Sequence, residues 1–135
     1  MAGETALSTL IRNMSPQLNP GQYVFCTLID AARLEGCVPI GSFREREGLT
    51  VILERGDADR LGLTYDYTAA WITLDVHSSL SAVGLTAAFA GALAQAGVSC
   101  NVVAGYFHDH LFVASADAER ALSTLRALAA NAHTE

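Results

Sequence analysis

The stretch Trp71-Ile-Thr-Leu-Asp-Val-His-Ser-Ser-Leu-Ser-Ala-Val-Gly-Leu-Thr-Ala-Ala-Phe-Ala90 decides how the rest of the chain is read. Its opening residues alternate. Ile72, Leu74 and Val76 fall on one side of an extended segment, and Trp71, Thr73 and Asp75 fall on the other, which predicts a strand over 70–76. The period then lengthens. Leu85, Phe89, Leu93 and Ala96 recur at helical spacing and predict a helix over 81–96, capped by Ser79 or Ser81 and stopped at Gly97. The first N–H groups of such a helix have no partner within it, so they attract carboxylates and phosphates. Ser78 and Ser79 add hydroxyls to the same turn. Gly84 falls in the first helical turn, where it costs roughly 1 kcal/mol relative to alanine. Close approach by a ligand or a facing strand accounts for that cost; plain capping and tight helix–sheet packing account for the same residues without a ligand.

Working outward, strands are expected over 100–104 and 110–114, joined by a tight connection over 105–109. A last helix is expected over 117–130, with Ala118, Ala121, Leu122, Leu125, Leu128 and Ala129 on one face. The order from Ala70 is therefore strand, helix, strand, strand, helix, which is most of a ferredoxin-like βαββαβ unit. One strand is lacking, and the N-terminal part must complete the sheet. That part offers a helix over 5–14 ended by Pro16 and Pro20-Gly21, a strand over 22–29, a mixed connection over 30–39, a short extended piece over 40–46, a buried strand over 49–53 and a short helix over 57–61. Helices on one face of an antiparallel sheet bury all these stripes most simply, so the class is α+β. A weak internal repeat aligns Glu47-Gly-Leu-Thr-Val with Asp109-His-Leu-Phe-Val, each followed by an acidic-capped helix. It implies a duplicated module, with a first, abbreviated half over 1–67 and a second, more complete half over 68–135.

Bulk composition narrows the functions. Of 135 residues, 51% are hydrophobic and 16% charged, enough apolar material for a packed interior. The net charge is −6 and the eight Lys and Arg residues form no cluster, which argues against a nucleic-acid or anionic-membrane partner. The apolar run over 82–97 is shorter than the roughly 20 residues a bilayer span needs, so a buried helix is expected. The N-terminus shows no basic region followed by an apolar stretch, so no signal peptide is expected. The cysteine count is odd and no CxxC occurs, which places the chain in a reducing, cytoplasmic compartment.

Three segments carry candidate chemistry. The Ser78–Gly84 turn is the first. The second is Gly105-Tyr-Phe-His-Asp-His110, where Asp109 can meet a ligand amine. His108, Asp109 and His110 can also be read as the centre of a metal-dependent enzyme, which would need a third or fourth ligand. The third is Asn101, whose amide must be satisfied by neighbouring backbone or by a ligand. No GxSxG, Walker, paired CxxC or HExxH motif occurs. Asp75, His77 and Ser78 are close in sequence, yet triads assemble by geometry and not by adjacency. No catalysis and no cofactor are expected.

The run from Trp71 to Ala90, together with Gly97-Val-Ser-Cys-Asn-Val-Val-Ala-Gly-Tyr-Phe-His-Asp-His-Leu-Phe-Val113, resembles a family of small bacterial ACT-domain proteins of unknown function. Tyr23-Val-Phe-Cys26 and Phe43-Arg-Glu-Arg-Glu-Gly-Leu-Thr50 resemble that family's first half. The layout is also similar to the ACT modules of aspartokinases and of animal cytosolic arginine sensors. The resemblance implies a duplicated, ferredoxin-like ACT fold, a homodimer, and an amino acid bound at a module interface. By position it implies Ser78, Ser79, Val83 and Gly84 as the ligand loop, Asp109 as the turn carboxylate and Asn101 on the facing strand. Where the arginine sensors carry acidic residues just before the glycine, this chain has Ser81 and Ala82. That difference favours a neutral or differently charged amino acid, or no ligand. ACT modules usually regulate a fused enzyme or transcription factor. Output from this chain is then expected to pass through a separate regulated protein, or to have been lost. The alternative is a structural or protein-interaction module with a vestigial pocket.

Overall fold

The computed structural model describes residues 2–76 and 83–132, with side chains from residue 7. The elements run α1 (Ala2–Asn13), β1 (Pro16–Leu28), a 3-10 turn (Ala31–Leu34), β2 (Gly41–Arg44), β3 (Leu49–Glu54), α2 (Arg55–Arg60), β4 (Thr68–Leu74), α3 (Leu85–Gln95), β5 (Cys100–Ala104), β6 (Asp109–Ala114), a 3-10 turn (Ser115–Asp117) and α4 (Ala118–Asn131). They resolve into two compact units. One comprises Met1–Asn19 with Trp71–Glu135, and the other Pro20–Ala70.

In the first unit the strand order is β1-β4-β6-β5, with β1 contributing its opening residues. β5 and β6 form an antiparallel hairpin in which Asn101 faces Phe112 and Val103 faces His110. Helices α1, α3 and α4 pack on one another, and α3 and α4 pack on the hairpin strands. The apolar stripes explain this arrangement. Ile72 and Leu74 of β4, Leu111 and Val113 of β6, Leu85, Phe89 and Leu93 of α3, and Ala121, Leu122, Leu125 and Ala129 of α4 are all buried. Burying each of the larger side chains stabilises the unit by about 1.5–3 kcal/mol. The strand lacking from the 70–135 pattern is the start of β1. Asn19 donates from Nδ2 to the Trp71 carbonyl at 3.2 Å, and the Asp75 N–H donates to the Ser15 carbonyl at 2.8 Å.

The second unit orders its strands β2-β3-β1, both pairs antiparallel. Val24, Cys26 and Leu28 of β1 and Val51 and Leu53 of β3 build its core with Ala58, Leu61 and Leu63. The two hairpin turns are built alike. Glu45 N–H donates to the Gly48 carbonyl and Gly105 N–H to the His108 carbonyl, each at 2.9 Å. This corrects the repeat alignment, because the turn bond pairs Glu45 with Gly105 and so puts Leu49, not Glu47, at the position of Asp109.

Other expectations shift as well. β1 begins at Pro16, not at residue 22. Pro20 gives no N–H to a ladder, and Gly21 takes a φ of 102°. Together they disturb the alternation of buried and exposed residues without ending the strand. Helix α3 begins at Leu85, not Ser81, and its N-cap is Gly84 in the left-handed region at φ 100°. Gly84 is therefore outside the helix, not in its first turn, and the propensity cost assigned to it does not apply. The three cysteines are free, and burial pushes the Cys100 thiol up to about 11, which keeps it protonated and unreactive.

Candidate functional site

One end of the first unit holds one of the sequence candidates, Asp109, beside His108 and Asp75. β4 leaves the sheet through Asp75 and Val76, and β6, its neighbour, enters at Asp109. His108 Nδ1 lies 4.0 Å from Asp75 Oδ1, so the β5–β6 turn sits against the exit of β4. Asp109 is half-buried and pairs with Ala104 across the hairpin. Burial raises its carboxyl above the ordinary value and nearby His110 lowers it, burial being the stronger cause. No ion pair among the described residues involves Asp109.

Ser78 and Ser79 lie outside the described residues. Val83, at the other end of that segment, is 87% exposed. Gly84 follows it and offers α3 no side-chain cap. Its left-handed φ puts the position out of easy reach of other residues, and a Cβ there would stand 3.0 Å from Leu7 Cδ2. Asn101 is exposed on edge strand β5, and its amide reaches the Phe112 carbonyl at 3.4 Å. That is the bland role open to it from sequence. Among the described residues no hydrogen bond or ion pair joins Asn101 or Asp109 to Val83 or Gly84. No group of three His, Cys, Asp or Glu among the described residues is placed to hold a metal ion.

Sequence reasoning missed a polar cluster on the sheet face away from the helices. Trp71 Nε1 donates to His110 Nδ1 at 3.1 Å, and Thr73 Oγ1 lies 3.1 Å from the same nitrogen. Asn19 Nδ2 donates to Thr73 Oγ1 at 3.0 Å. Trp71 also stacks on Phe112, with ring centroids 6.1 Å apart. The alternation that placed Trp71 and Thr73 on one face was the available signal; nothing in sequence spacing brings Asn19 and His110 to them. His110 is held below its ordinary pKa, first by burial and then by His108, while Asp109 pulls it back up.

The second unit carries an open groove of about 570 Å³ lined by Phe25, Thr27, Glu45, Thr50, Tyr65 and Asp66 among others. Its lining includes two carboxylates and no cation, and the Thr50 hydroxyl already donates to Glu45.

These features define a class: an α+β, ferredoxin-like chain whose two hairpin turns are closed by the same backbone bond. A profile described as ACT domain matches residues 2–70, and a second with the same description matches residues 67–127. The chain belongs to the ACT-domain family. A solved Vibrio cholerae protein of unknown function, described as a possible transport protein, is 48% identical, covers 94% of this chain and 98% of its own, and gives a TM-score of 0.85. The ligand-free regulatory subunit of Thermus thermophilus aspartate kinase is 12% identical over 84% of this chain and 95% of its own, with a TM-score of 0.65. An Agrobacterium tumefaciens protein is 18% identical over 86% of this chain and 89% of its own, with a TM-score of 0.67. These last two likenesses concern the fold. Comparison with curated proteins finds no match. ACT domains are, as a class, regulatory modules that bind small ligands, often amino acids. No helix among the described residues is long and apolar enough to cross a membrane.

Proposed function

We propose that this chain is a stand-alone regulatory protein of the cytoplasm that binds an amino acid and passes the signal to a separate protein, without catalysis of its own. The reading takes residues 1–67 and 68–135 as two copies of the module and the working form as a homodimer. Its ligand site comprises Ser78, Ser79, Val83, Gly84, Asn101 and Asp109. The observation that carries it is the start of α3, where Gly84 leaves the first N–H groups without a side-chain cap. Such groups favour a carboxylate. A second support is Asp109, a half-buried carboxylate with no ion pair among the described residues, which gains from meeting an ammonium. A zwitterion supplies both charges. Binding at an interface would also favour association, because a ligand that touches both partners stabilises the pair.

Calorimetry and thermal-shift screening against the common amino acids test this reading. A ligand present at a hundred times its Kd stabilises the fold by about 2.7 kcal/mol. Binding should weaken in Asp109→Ala. If no amino acid moves the melting temperature of the folded protein, the interaction-module reading takes over. One observation favours that second reading: Tyr106 and Phe107, at the tip of the β5–β6 hairpin, are 77% and 60% exposed. Co-purification of a fixed partner, lost in Tyr106→Ser/Phe107→Ser, would support it.

A further inference from the structure

We propose that Asn19, Thr73, His110 and Trp71 form a proton-sensitive latch on the open sheet face of the first unit, closed when His110 is neutral and released when it is protonated. The geometry fixes the tautomer. An indole N–H can only donate, and Trp71 Nε1 points at His110 Nδ1 from 3.1 Å. Nδ1 is therefore the unprotonated, accepting nitrogen, and the ring proton sits on Nε2. Thr73 agrees with this assignment. Its oxygen accepts from Asn19 Nδ2, and its own proton shares the one lone pair of Nδ1, 3.1 Å away, with the indole.

Adding a proton to Nδ1 turns the acceptor into a donor facing another donor. The Trp71–His110 bond must break, whereas Thr73 can rotate and accept from the new N–H. Attraction between the cation and the indole ring does not offset this. The indole N–H lies in the ring plane, so His110 meets the positive edge of the ring and not its negative face. The centroids are 5.7 Å apart and the planes tilted by 52°. Among the described residues the charged groups around His110 are few. Asp109 precedes it on β6, His108 lies in the turn, and Asp75, at the end of β4, is 4.0 Å from His108. The neighbours offered by β4 and β1, namely Trp71, Thr73 and Asn19, are uncharged. Asp109 favours the imidazolium, while burial and His108 oppose it and prevail. The latch is thus closed at neutral pH and opens as pH falls below the ordinary histidine value. It needs no ligand, and it adjoins the proposed amino-acid site through Asp109, the residue before His110.

Trp71 is the single tryptophan of the chain, so its emission reads the latch directly. The full-length protein is titrated from about pH 8 to about pH 5, the range of histidine chemistry. The expected result is an emission change with a midpoint below about 6.5 while far-UV circular dichroism stays constant. His110→Asn keeps an accepting oxygen near the Nδ1 position and cannot titrate, so its emission should hold flat at the neutral-state value. His108→Asn should move the midpoint upward. Nitrogen NMR of the wild-type imidazoles gives a readout that does not rely on any variant folding: His110 Nδ1 should show the shift of an unprotonated nitrogen at about pH 8. A protonated Nδ1 there, an unchanged transition in His110→Asn, or no emission change in the wild type overturns the proposal.

Discussion

Asn19 and Thr73 stand 54 positions apart in the chain and share a 3.0 Å hydrogen bond, donated by the asparagine amide to the threonine hydroxyl. That contact, with the Asn19 bond to the Trp71 carbonyl, ties the N-terminal segment to β4. It is one contact through which residues before 20 join β4 in the first unit. Asn19→Ala removes two hydrogen bonds from a half-buried position and leaves Thr73 with less company. The expected loss is about 1–2 kcal/mol, read as a lower urea midpoint with an unchanged m-value. A change confined to fluorescence, with no shift in midpoint, would show that the contact does not hold the sheet together.

How far the sequence revealed this can be argued residue by residue. The stripe Leu85, Phe89, Leu93 was readable because all three side chains are buried against the same layer, so periodicity and packing coincide. The β4 alternation was readable for the same reason. The need for one further strand, and its origin in the N-terminal part, were readable, but the residues that supply it were not: Pro16 and Pro20 read as breakers, whereas the edge of the second half required an extended segment there. Local propensity lost to a tertiary demand. The start of α3 was misplaced because Ser81 reads as a cap three residues before Gly84, and only the left-handed φ of that glycine says where the helix begins. The Trp71–His110 contact was invisible, because strand neighbours are set by register and register is not written in either strand alone.

Core packing separates two aromatic classes. Phe89 has no exposed surface, whereas Phe107 is 60% exposed. Phe89→Ala leaves a cavity between helix and sheet and should cost about 3–5 kcal/mol. Phe107→Ala should stay within about 0.5 kcal/mol. Urea denaturation of both variants checks the contrast; equal losses would mean that the hairpin tip is covered in the protein's working state.

Three glycines should respond differently to the same change. A Cβ at Gly91 in α3 meets nothing within 4 Å, and alanine is the better helix residue, so Gly91→Ala should stabilise by about 0.5–1 kcal/mol. A Cβ at Gly105 would stand 2.8 Å from the His108 carbonyl and 3.1 Å from His110 Nε2. Gly105→Ala must therefore open the turn that carries His108 and Asp109, and should lower the melting temperature. Gly84→Ala combines a left-handed φ of 100° with a 3.0 Å approach to Leu7. It should cost about 1–2 kcal/mol from the backbone alone. Differential scanning calorimetry of the three variants should give one rise and two falls.

Stability should also depend on pH through His110. Its folded pKa lies below the ordinary value, so between the two values the unfolded chain binds more protons. Stability therefore rises with pH across that window. The contribution is complete above about 6.5, the unfolded value, and is lost as pH falls toward the folded one. The curve of unfolding free energy against pH should lose this slope in His110→Asn and keep it in Asp75→Asn.

Asp109 should show the opposite sign and reveal whether the residue serves a ligand. Its folded pKa is raised, chiefly by burial, so above its unfolded value the folded chain holds its proton longer than the unfolded chain does. Stability then falls as pH rises from the ordinary carboxylate range through the raised value, and the deficit persists at neutral pH. Asp109→Asn removes the charge that burial penalises and retains the shape. It should melt higher than the wild type at neutral pH and no higher at pH values below the unfolded carboxylate pKa, where the aspartate is protonated in both states. The same variant should bind an amino acid more weakly, because the ammonium loses its counter-charge. A gain in melting temperature coupled to a loss of ligand affinity is the signature of a residue kept for binding at the expense of the fold. A gain without any loss of affinity would remove Asp109 from the site and leave the uncapped start of α3 as its sole anchor.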